Sequence, residues 1–171
     1  VTHLGMTGQW RILRNNLNLD STLKKHDHVL IFWKSGSVWL YNDTRRFGVF
    51  EFSKNLNSSK WLKNLGPEPL TDDFNQDLVI EKIRSSDRVI KDTIMDAKII
   101  VGVGNIYACE ALFLSHINPF RKASKIKKEQ LSDLMKNIQK ILKTAIKNGG
   151  STIQNYTQTN GESGKFQNRH K

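Results

Sequence analysis

Two short stretches combine glycines with side chains that could bind a phosphate or enter a stack of bases. In residues 3–8 (HLGMTG), His3 and Met6 lie among glycines beside a predicted strand. In residues 41–48 (YNDTRRFG), Arg45, Arg46 and Phe47 occupy a predicted turn between strands. Arginine can clamp a phosphate or read a base edge, and an exposed phenylalanine can wedge between bases. The alternatives are a plain turn with a surface histidine and a basic turn with Phe47 in the core.

A third stretch, residues 98–113 (KIIVGVGNIYACEALF), predicts an anion site at the start of a helix. An apolar run ends in two glycines and an asparagine, and a helix-forming segment follows at once. We expect Gly104 to free the backbone and Asn105 to cap the helix. The first amides of a helix have no partner within it, so such an end binds anions readily.

Charge and composition narrow the class of partner. The 171 residues contain 27 Lys and Arg against 16 Asp and Glu, a formal net charge of +11. This excess favours a polyanion, either nucleic acid or an acidic membrane surface, over a merely solvated basic surface. A single cysteine, Cys109, excludes an internal disulfide and a multi-cysteine metal site. With no long apolar run and no signal-peptide pattern, we expect a cytoplasmic protein with no membrane partner. We also expect a monomer, with no cofactor or metal held by these residues.

The order of predicted elements divides the chain. Short β-branched and aromatic runs at residues 9–13, 28–33, 37–41 and 48–52 predict antiparallel strands, with a tight turn at residues 34–36. So few strands indicate only part of a sandwich or barrel. A polar, proline-containing segment from Ser53 to about Thr71 indicates a domain boundary.

Beyond that segment the apolar period changes from two to 3.6, which predicts a small helical domain. Helices are expected around residues 74–83, 89–95, 105–117 and 127–148, the last ending at Gly149. Its apolar stripe, which includes Ile146, is expected to be core, and Leu78 and Phe113 are among the apolar residues that mark the first and third helices. We interpret most basic side chains of residues 121–147 as a solvated face: Arg121, Lys122, Lys125, Lys127, Lys128, Lys136, Lys140, Lys143 and Lys147.

Taken in order, five motifs resemble those of formamidopyrimidine-DNA glycosylases. They are HLGMTG, NDTRRFG, LGPEPL, GVGNIYACEALF and GGST with GKFQ beyond it. The resemblance covers essentially the whole chain. It implies a bacterial base-excision repair enzyme that removes 8-oxoguanine and formamidopyrimidines from duplex DNA and then nicks the abasic strand by β,δ-elimination.

The same resemblance implies an α+β fold in three parts. Residues 1–64 would be the later part of a catalytic antiparallel β-sandwich. Residues 65–150 would be an all-α helix-two-turn-helix domain, and residues 151–171 a loop that caps the lesion and leads toward a zinc finger.

Residue roles follow from the resemblance position by position. His3 and Asn105 would bind DNA phosphates. Arg46 would contact the DNA backbone as well, or else serve a structural role. Met6, Arg45 and Phe47 would fill the gap left by the extruded nucleotide, with Arg45 meeting the orphaned cytosine. The residues expected to handle the lesion are Lys98, Ser151, Ile153, Gln154, Asn155 and Tyr156.

The departures from the family pattern concern catalysis. The family's nucleophile is an N-terminal proline followed by glutamate, whereas this chain begins with Val1, and the family's hairpin lysine before HLGMTG is also missing. The four-cysteine zinc finger, which holds zinc in full-length members, is missing too. We therefore expect an interior piece without catalytic residues, inactive alone and binding DNA weakly and without lesion preference. Two alternatives are an endonuclease VIII-like enzyme for oxidised pyrimidines and a non-catalytic helix-two-turn-helix protein.

Overall fold

The computed structural model of the protein describes residues 1–13 and 19–150. The chain folds as two compact units, Val1–Ser59 and Lys60–Lys147. The first contains the strands and the second contains the long helices, so the predicted α+β class is confirmed. No helix in the described part of the chain is long and apolar enough to cross a membrane.

The first unit contains two antiparallel sheets, one of three strands in the order β2-β4-β3 and one of two strands, β1 and β5. A short helix precedes β3, and a turn of 3₁₀ helix at Leu56–Ser58 follows β5. The bounds are β1 Thr2–His3, β2 Gly8–Leu13, α1 Leu19–Thr22, β3 Asp27–Phe32, β4 Val38–Asp43 and β5 Val49–Phe50.

Side-chain alternation along β4 divides its residues between the two faces of the sheet. Trp39 and Tyr41 share one face with Trp10, which is paired with Tyr41 across the β2–β4 ladder. The Trp10 ring centroid lies 5.2 Å from that of Tyr41 and 6.2 Å from that of Trp39. Leu40 points to the opposite face and is fully buried.

The strand predictions are confirmed in the three-stranded sheet and are wrong in part elsewhere. The predicted strand over residues 48–52 is only Val49–Phe50, and its partner Thr2–His3 was not predicted at all. A two-residue strand is too short to show a period of two, so only its pairing identifies it. Beyond β5, the Glu51 amide donates to the Val1 carbonyl at 2.8 Å, which extends this edge.

The second unit is helical, as predicted. Its first helix is capped by Asn75, whose side-chain oxygen accepts from the Leu78 amide at 3.2 Å. Its last helix is followed by Gly149 in the left-handed conformation, as the glycine stop predicts. The bounds are α2 Gln76–Arg84, α3 Ile90–Ile94, α4 Asn105–Leu114, a 3₁₀ turn Ala123–Lys125, and α5 Lys128–Lys147.

The core of this unit follows the predicted α5 stripe with one correction, and two apolar residues that mark other helices are exposed. Ile146 was expected in the α5 stripe but is 70% exposed, because Ala145 occupies the buried position in that turn. Leu78 is exposed because α2 buries the neighbouring Val79, Ile80 and Ile83. Phe113 is 77% exposed, since α4 turns Ala108, Ala111 and Leu112 inward.

The proline-containing segment that was interpreted as a boundary is partly built into the helical unit. The Gly66 amide donates to the Ala97 carbonyl at 2.7 Å, and the Val101 amide donates to the Pro67 carbonyl at 3.3 Å. Gln139 on α5 donates to the Pro69 carbonyl at 2.7 Å. This segment therefore supports the turn that leads into α4.

Candidate nucleic-acid interface

Met6, Arg45 and Phe47 meet on the surface of the first unit, although Met6 and Arg45 are 39 positions apart along the chain. The Arg45 guanidinium donates from Nη1 to the Met6 sulfur at 3.2 Å. The Arg45 Cζ also lies 4.5 Å from the centre of the Phe47 ring, a cation–π distance. Met6 is 69% exposed and Phe47 is 57% exposed, so the structure excludes the interpretation of Phe47 as a core residue.

The Asp43 carboxylate at the end of β4 holds together the two turns that carry this trio. Its Oδ1 accepts from the Thr7 hydroxyl at 2.5 Å and from the Arg45 amide at 3.3 Å. Its Oδ2 accepts from the Gly48 amide at 2.8 Å and from the Tyr41 hydroxyl at 3.3 Å. Because Asp43 is buried, it fixes Met6 and Phe47 indirectly, through the backbone of their turns.

These hydrogen bonds also set the charge state of Asp43. Burial on its own would raise the pKa of this carboxyl. The donors from Thr7, Gly48, Arg45 and Tyr41 outweigh burial and lower its pKa below the ordinary value. The carboxylate is therefore charged at neutral pH and accepts from all four donors.

The glycines of the two motifs are required by close packing. A Cβ on Gly48 would lie 1.7 Å from the Tyr41 hydroxyl, and one on Gly8 would lie 2.2 Å from the Leu4 carbonyl oxygen. Gly5 has a φ of +60°, and its Cβ would lie 2.8 Å from the Phe47 carbonyl carbon. The turn that carries Met6 thus packs directly on the backbone of Phe47.

The other two residues predicted in this unit lie outside the trio. His3 is exposed on β1, and its Nδ1 accepts from the Gly5 amide at 3.1 Å. The neutral ring therefore carries its proton on Nε2, where it can donate to an anion. Arg46 has a φ of +56° and lines a pocket of about 430 Å³ with His28 and Phe50. Phosphate binding by either residue stays a prediction.

In the second unit, the glycine turn leads into α4 as predicted, but two details are wrong. The residue in the left-handed conformation is Gly102, with a φ of +81°, whereas Gly104 has a φ of −83° and open space at its Cβ. Gly104 is also the N-cap, and Asn105 is the first helical residue. The side-chain oxygen of Asn105 contacts the Cys109 sulfur at 3.9 Å and caps no amide. A helix end with an asparagine side chain beside it can still receive a phosphate oxygen.

Asp96 holds the turn before these glycines. Its carboxylate accepts from the Lys98 amide at 3.0 Å and from the Arg88 guanidinium at 2.7 Å. The Lys98 amide, followed by Arg88, lowers the pKa of Asp96 against the opposing effect of burial. The Lys98 side chain is exposed, so it is accessible to a ligand, and its predicted role at the lesion stays a prediction.

Sequence reasoning missed the residues that support both turns. Asp43, Thr7 and Tyr41 were not singled out, and neither were Asp96 and Arg88. The available signal was an Asp or Thr within a turn, since such side chains accept from or donate to nearby backbone groups. The predicted lesion residues Ser151, Ile153, Gln154, Asn155 and Tyr156 lie outside the described residues.

The described residues contain no group of three or more His, Cys, Asp or Glu side chains that could hold a metal ion. The chain has one cysteine, Cys109, so these residues do not supply the four-cysteine zinc site that the resemblance implies for full-length members.

Comparison with known proteins identifies both parts of the chain. Residues 65–157 match the family model for the formamidopyrimidine-DNA glycosylase H2TH domain, and residues 1–50 match that for the N-terminal domain. The formamidopyrimidine-DNA glycosylase of Vibrio atlanticus is 46% identical over 166 residues, which are 97% of this chain and 60% of that protein. The chain thus spans about 60% of the length of the curated relatives that it matches.

Solved structures of the same family also match this chain. A Lactococcus lactis Fpg mutant bound to DNA containing Fapy-dG is 34% identical, with a TM-score of 0.84 over 98% of this chain and 60% of that one. The MutM (Fpg) protein of Thermus thermophilus is also 34% identical, with a TM-score of 0.85 over 99% of this chain and 61% of that one. The match to the H2TH model alone covers more than half of the residues, so the resemblance inferred from the five motifs is confirmed. The chain belongs to the formamidopyrimidine-DNA glycosylase family.

Proposed function

We propose that the protein containing this chain is a base-excision repair glycosylase that removes oxidised purines from duplex DNA and nicks the resulting abasic strand. The observation that carries the proposal is the exposed trio of Met6, Arg45 and Phe47, supported from below by Asp43. A protein that only binds the DNA backbone has no need of a thioether, a guanidinium and a phenyl ring in mutual contact on its surface.

Each member of the trio suits one task in base extrusion. Removing a nucleotide from the stack costs a few kcal/mol, and side chains that enter the gap offset part of this cost. Phe47 would supply a flat ring for the neighbouring base, and Met6 would adapt to the remaining space. Arg45 would donate to the base left without a partner, while its contacts with Met6 and Phe47 hold it in place.

The second unit would hold the DNA backbone. The first amides of α4 and the exposed Asn105 side chain are neutral donors that suit a phosphate oxygen, and Lys98 adds a positive charge nearby in sequence. His3 and Arg46 would bind phosphates from the first unit. The proposed preference for oxidised purines is supported by the relative from Lactococcus lactis, whose structure is a complex with DNA that contains Fapy-dG. That the protein is a monomer and that it is cytoplasmic stay predictions.

The test is single-turnover excision by the full-length protein on matched duplexes that contain 8-oxoguanine, formamidopyrimidine or thymine glycol. The proposal predicts that the two oxidised purines are released faster than thymine glycol and that the strand is cut afterwards. Faster release of thymine glycol would instead support the endonuclease VIII-like alternative. Tight DNA binding with no base release would support the non-catalytic alternative.

A further inference from the structure

A row of four lysines runs along the outer face of α5. Lys136, Lys140, Lys143 and Lys147, here named the lysine stripe, follow one another at intervals of four, three and four residues. These intervals place them on one face of an α-helix, over a length of about 16 Å at 1.5 Å per residue. All four are exposed, and the buried residues of α5 occupy the opposite face.

Most of the stripe lacks acidic partners. Lys136 pairs with Asp133 at 3.3 Å, whereas Lys140, Lys143 and Lys147 form no ion pair within residues 1–13 and 19–150. Each adjacent pair of stripe lysines is a like-charge pair at i,i+3 or i,i+4, which destabilises a helix. An anionic partner would remove this repulsion, whereas water only screens it.

The stripe lies on the same helix that supports the proposed phosphate turn. A Cβ on Gly102 would lie 4.0 Å from Leu142, so this turn packs against the buried face of α5. The stripe lies on the other, exposed face of α5. Duplex DNA carries about one charge per 1.7 Å of its axis, so a row of about 16 Å meets a dense array of phosphates.

We propose that the lysine stripe is a second DNA-binding surface, which contacts backbone phosphates of the duplex outside the damaged nucleotide. Lysines contact phosphates as mobile point charges, so the surface adds affinity and a salt-dependent association rate without reading sequence. The inference rests on the proposed function, because it assumes that the partner is duplex DNA.

The test compares two double variants of the full-length protein with the same change in net charge. Lys140→Gln with Lys143→Gln removes the centre of the stripe. The control is Lys82→Gln with Lys128→Gln, also exposed lysines of the second unit, which lie near acidic residues: Lys128 pairs with Asp77 at 3.0 Å, and Lys82 lines a pocket with Asp73 and Glu81. Binding to an undamaged duplex is measured by fluorescence anisotropy between about 50 and 200 mM salt.

The plot of log K against log salt falls with a negative slope. The proposal predicts that the stripe variant makes this slope shallower by about 1 to 2, since each lost phosphate contact removes about 0.9 from its magnitude. The control variant should reduce the magnitude of the slope by clearly less. Equal changes in the two variants, or no change in the stripe variant, would overturn the proposal. Thermal unfolding checks that both variants fold. Failure of the unmodified protein to bind DNA would overturn the proposed function as well, and so the two failures are distinguishable.

Discussion

At the scale of single residues, Asp43 has the widest influence on the candidate site. It joins Thr7 to the turn at Arg45–Gly48, although Thr7 lies 36 positions away along the chain. Its four donors are an aliphatic hydroxyl, a phenol and two backbone amides, and the amides cannot reverse their direction. The position of Met6 and Phe47 therefore depends on a buried charge beneath the surface that is proposed to meet DNA.

Asp43→Asn should destabilise the first unit. An amide presents N–H groups on one side where the carboxylate accepts, and it carries no charge, so the charge-assisted hydrogen bonds of that side are lost at a cost of about 1–3 kcal/mol. Urea unfolding measures the loss. The control is Asp133→Asn, which removes an exposed carboxylate that pairs with the exposed Lys136, and which should change stability by less than about 0.5 kcal/mol. Equal effects of the two variants would contradict the role of Asp43.

The same carboxylates predict how stability depends on pH. Asp43 and Asp96 both have a pKa lowered by their hydrogen bonds in the folded state. Their contribution is therefore fully present above the unfolded pKa of about 3.9 and is lost as the pH falls through the lower folded pKa. Denaturant unfolding between pH 6 and acidic pH should show this loss of stability. In Asp43→Asn the free energy of unfolding should fall less steeply as the pH decreases. If the variant lost stability at low pH as steeply as the unmodified protein, Asp43 would not contribute to this pH dependence.

At the scale of elements, the two glycine turns differ in why glycine is present. Gly48 packs against the Tyr41 hydroxyl with no room for a methyl group. Gly104, in contrast, has open space and a common backbone conformation. Packing therefore requires glycine in the first turn at residue 48, but not in the second turn at residue 104.

Gly48→Ala should destabilise the fold by about 1–3 kcal/mol through overpacking, and Gly104→Ala should be nearly neutral. Adding Tyr41→Phe to Gly48→Ala removes the hydroxyl that meets the new methyl group, so it should recover part of the loss. Thermal or urea unfolding of the three variants measures this. A larger loss of stability in Gly104→Ala than in Gly48→Ala would contradict the close packing at Gly48.

These elements also show what a sequence can predict. The strand Gly8–Leu13 was predicted from its run of β-branched and aromatic residues, and the helix Lys128–Lys147 from its apolar period of 3.6. The contact between Met6, Arg45 and Phe47 was suggested only by family resemblance, since no local pattern reports a pairing across 39 positions. The supporting role of Asp43 and the cap at Gly104 depend on atomic distances that the order of residues does not contain.

At the scale of the whole molecule, each unit carries its own proposed contact with DNA: the trio of Met6, Arg45 and Phe47 in the first and the end of α4 in the second. Asn105→Ala in the full-length protein should weaken binding to damaged and undamaged duplexes by the same factor, about tenfold, because one hydrogen bond to a charged group is lost. Asn64→Ala, which changes another exposed asparagine of the same unit, is the control. A loss confined to damaged DNA would contradict a phosphate role for Asn105.

The central claim is that Phe47 acts as a wedge, and the most direct measurement compares Phe47→Ala with Phe120→Ala in the full-length protein. Both remove an exposed phenyl ring, and Phe120, in the second unit, is 80% exposed. Single-turnover excision of 8-oxoguanine should slow by about ten- to a hundredfold in Phe47→Ala, because unstacking is no longer offset. Undamaged DNA should bind as before, and Phe120→Ala should leave excision unchanged. An unchanged excision rate in Phe47→Ala would contradict the account.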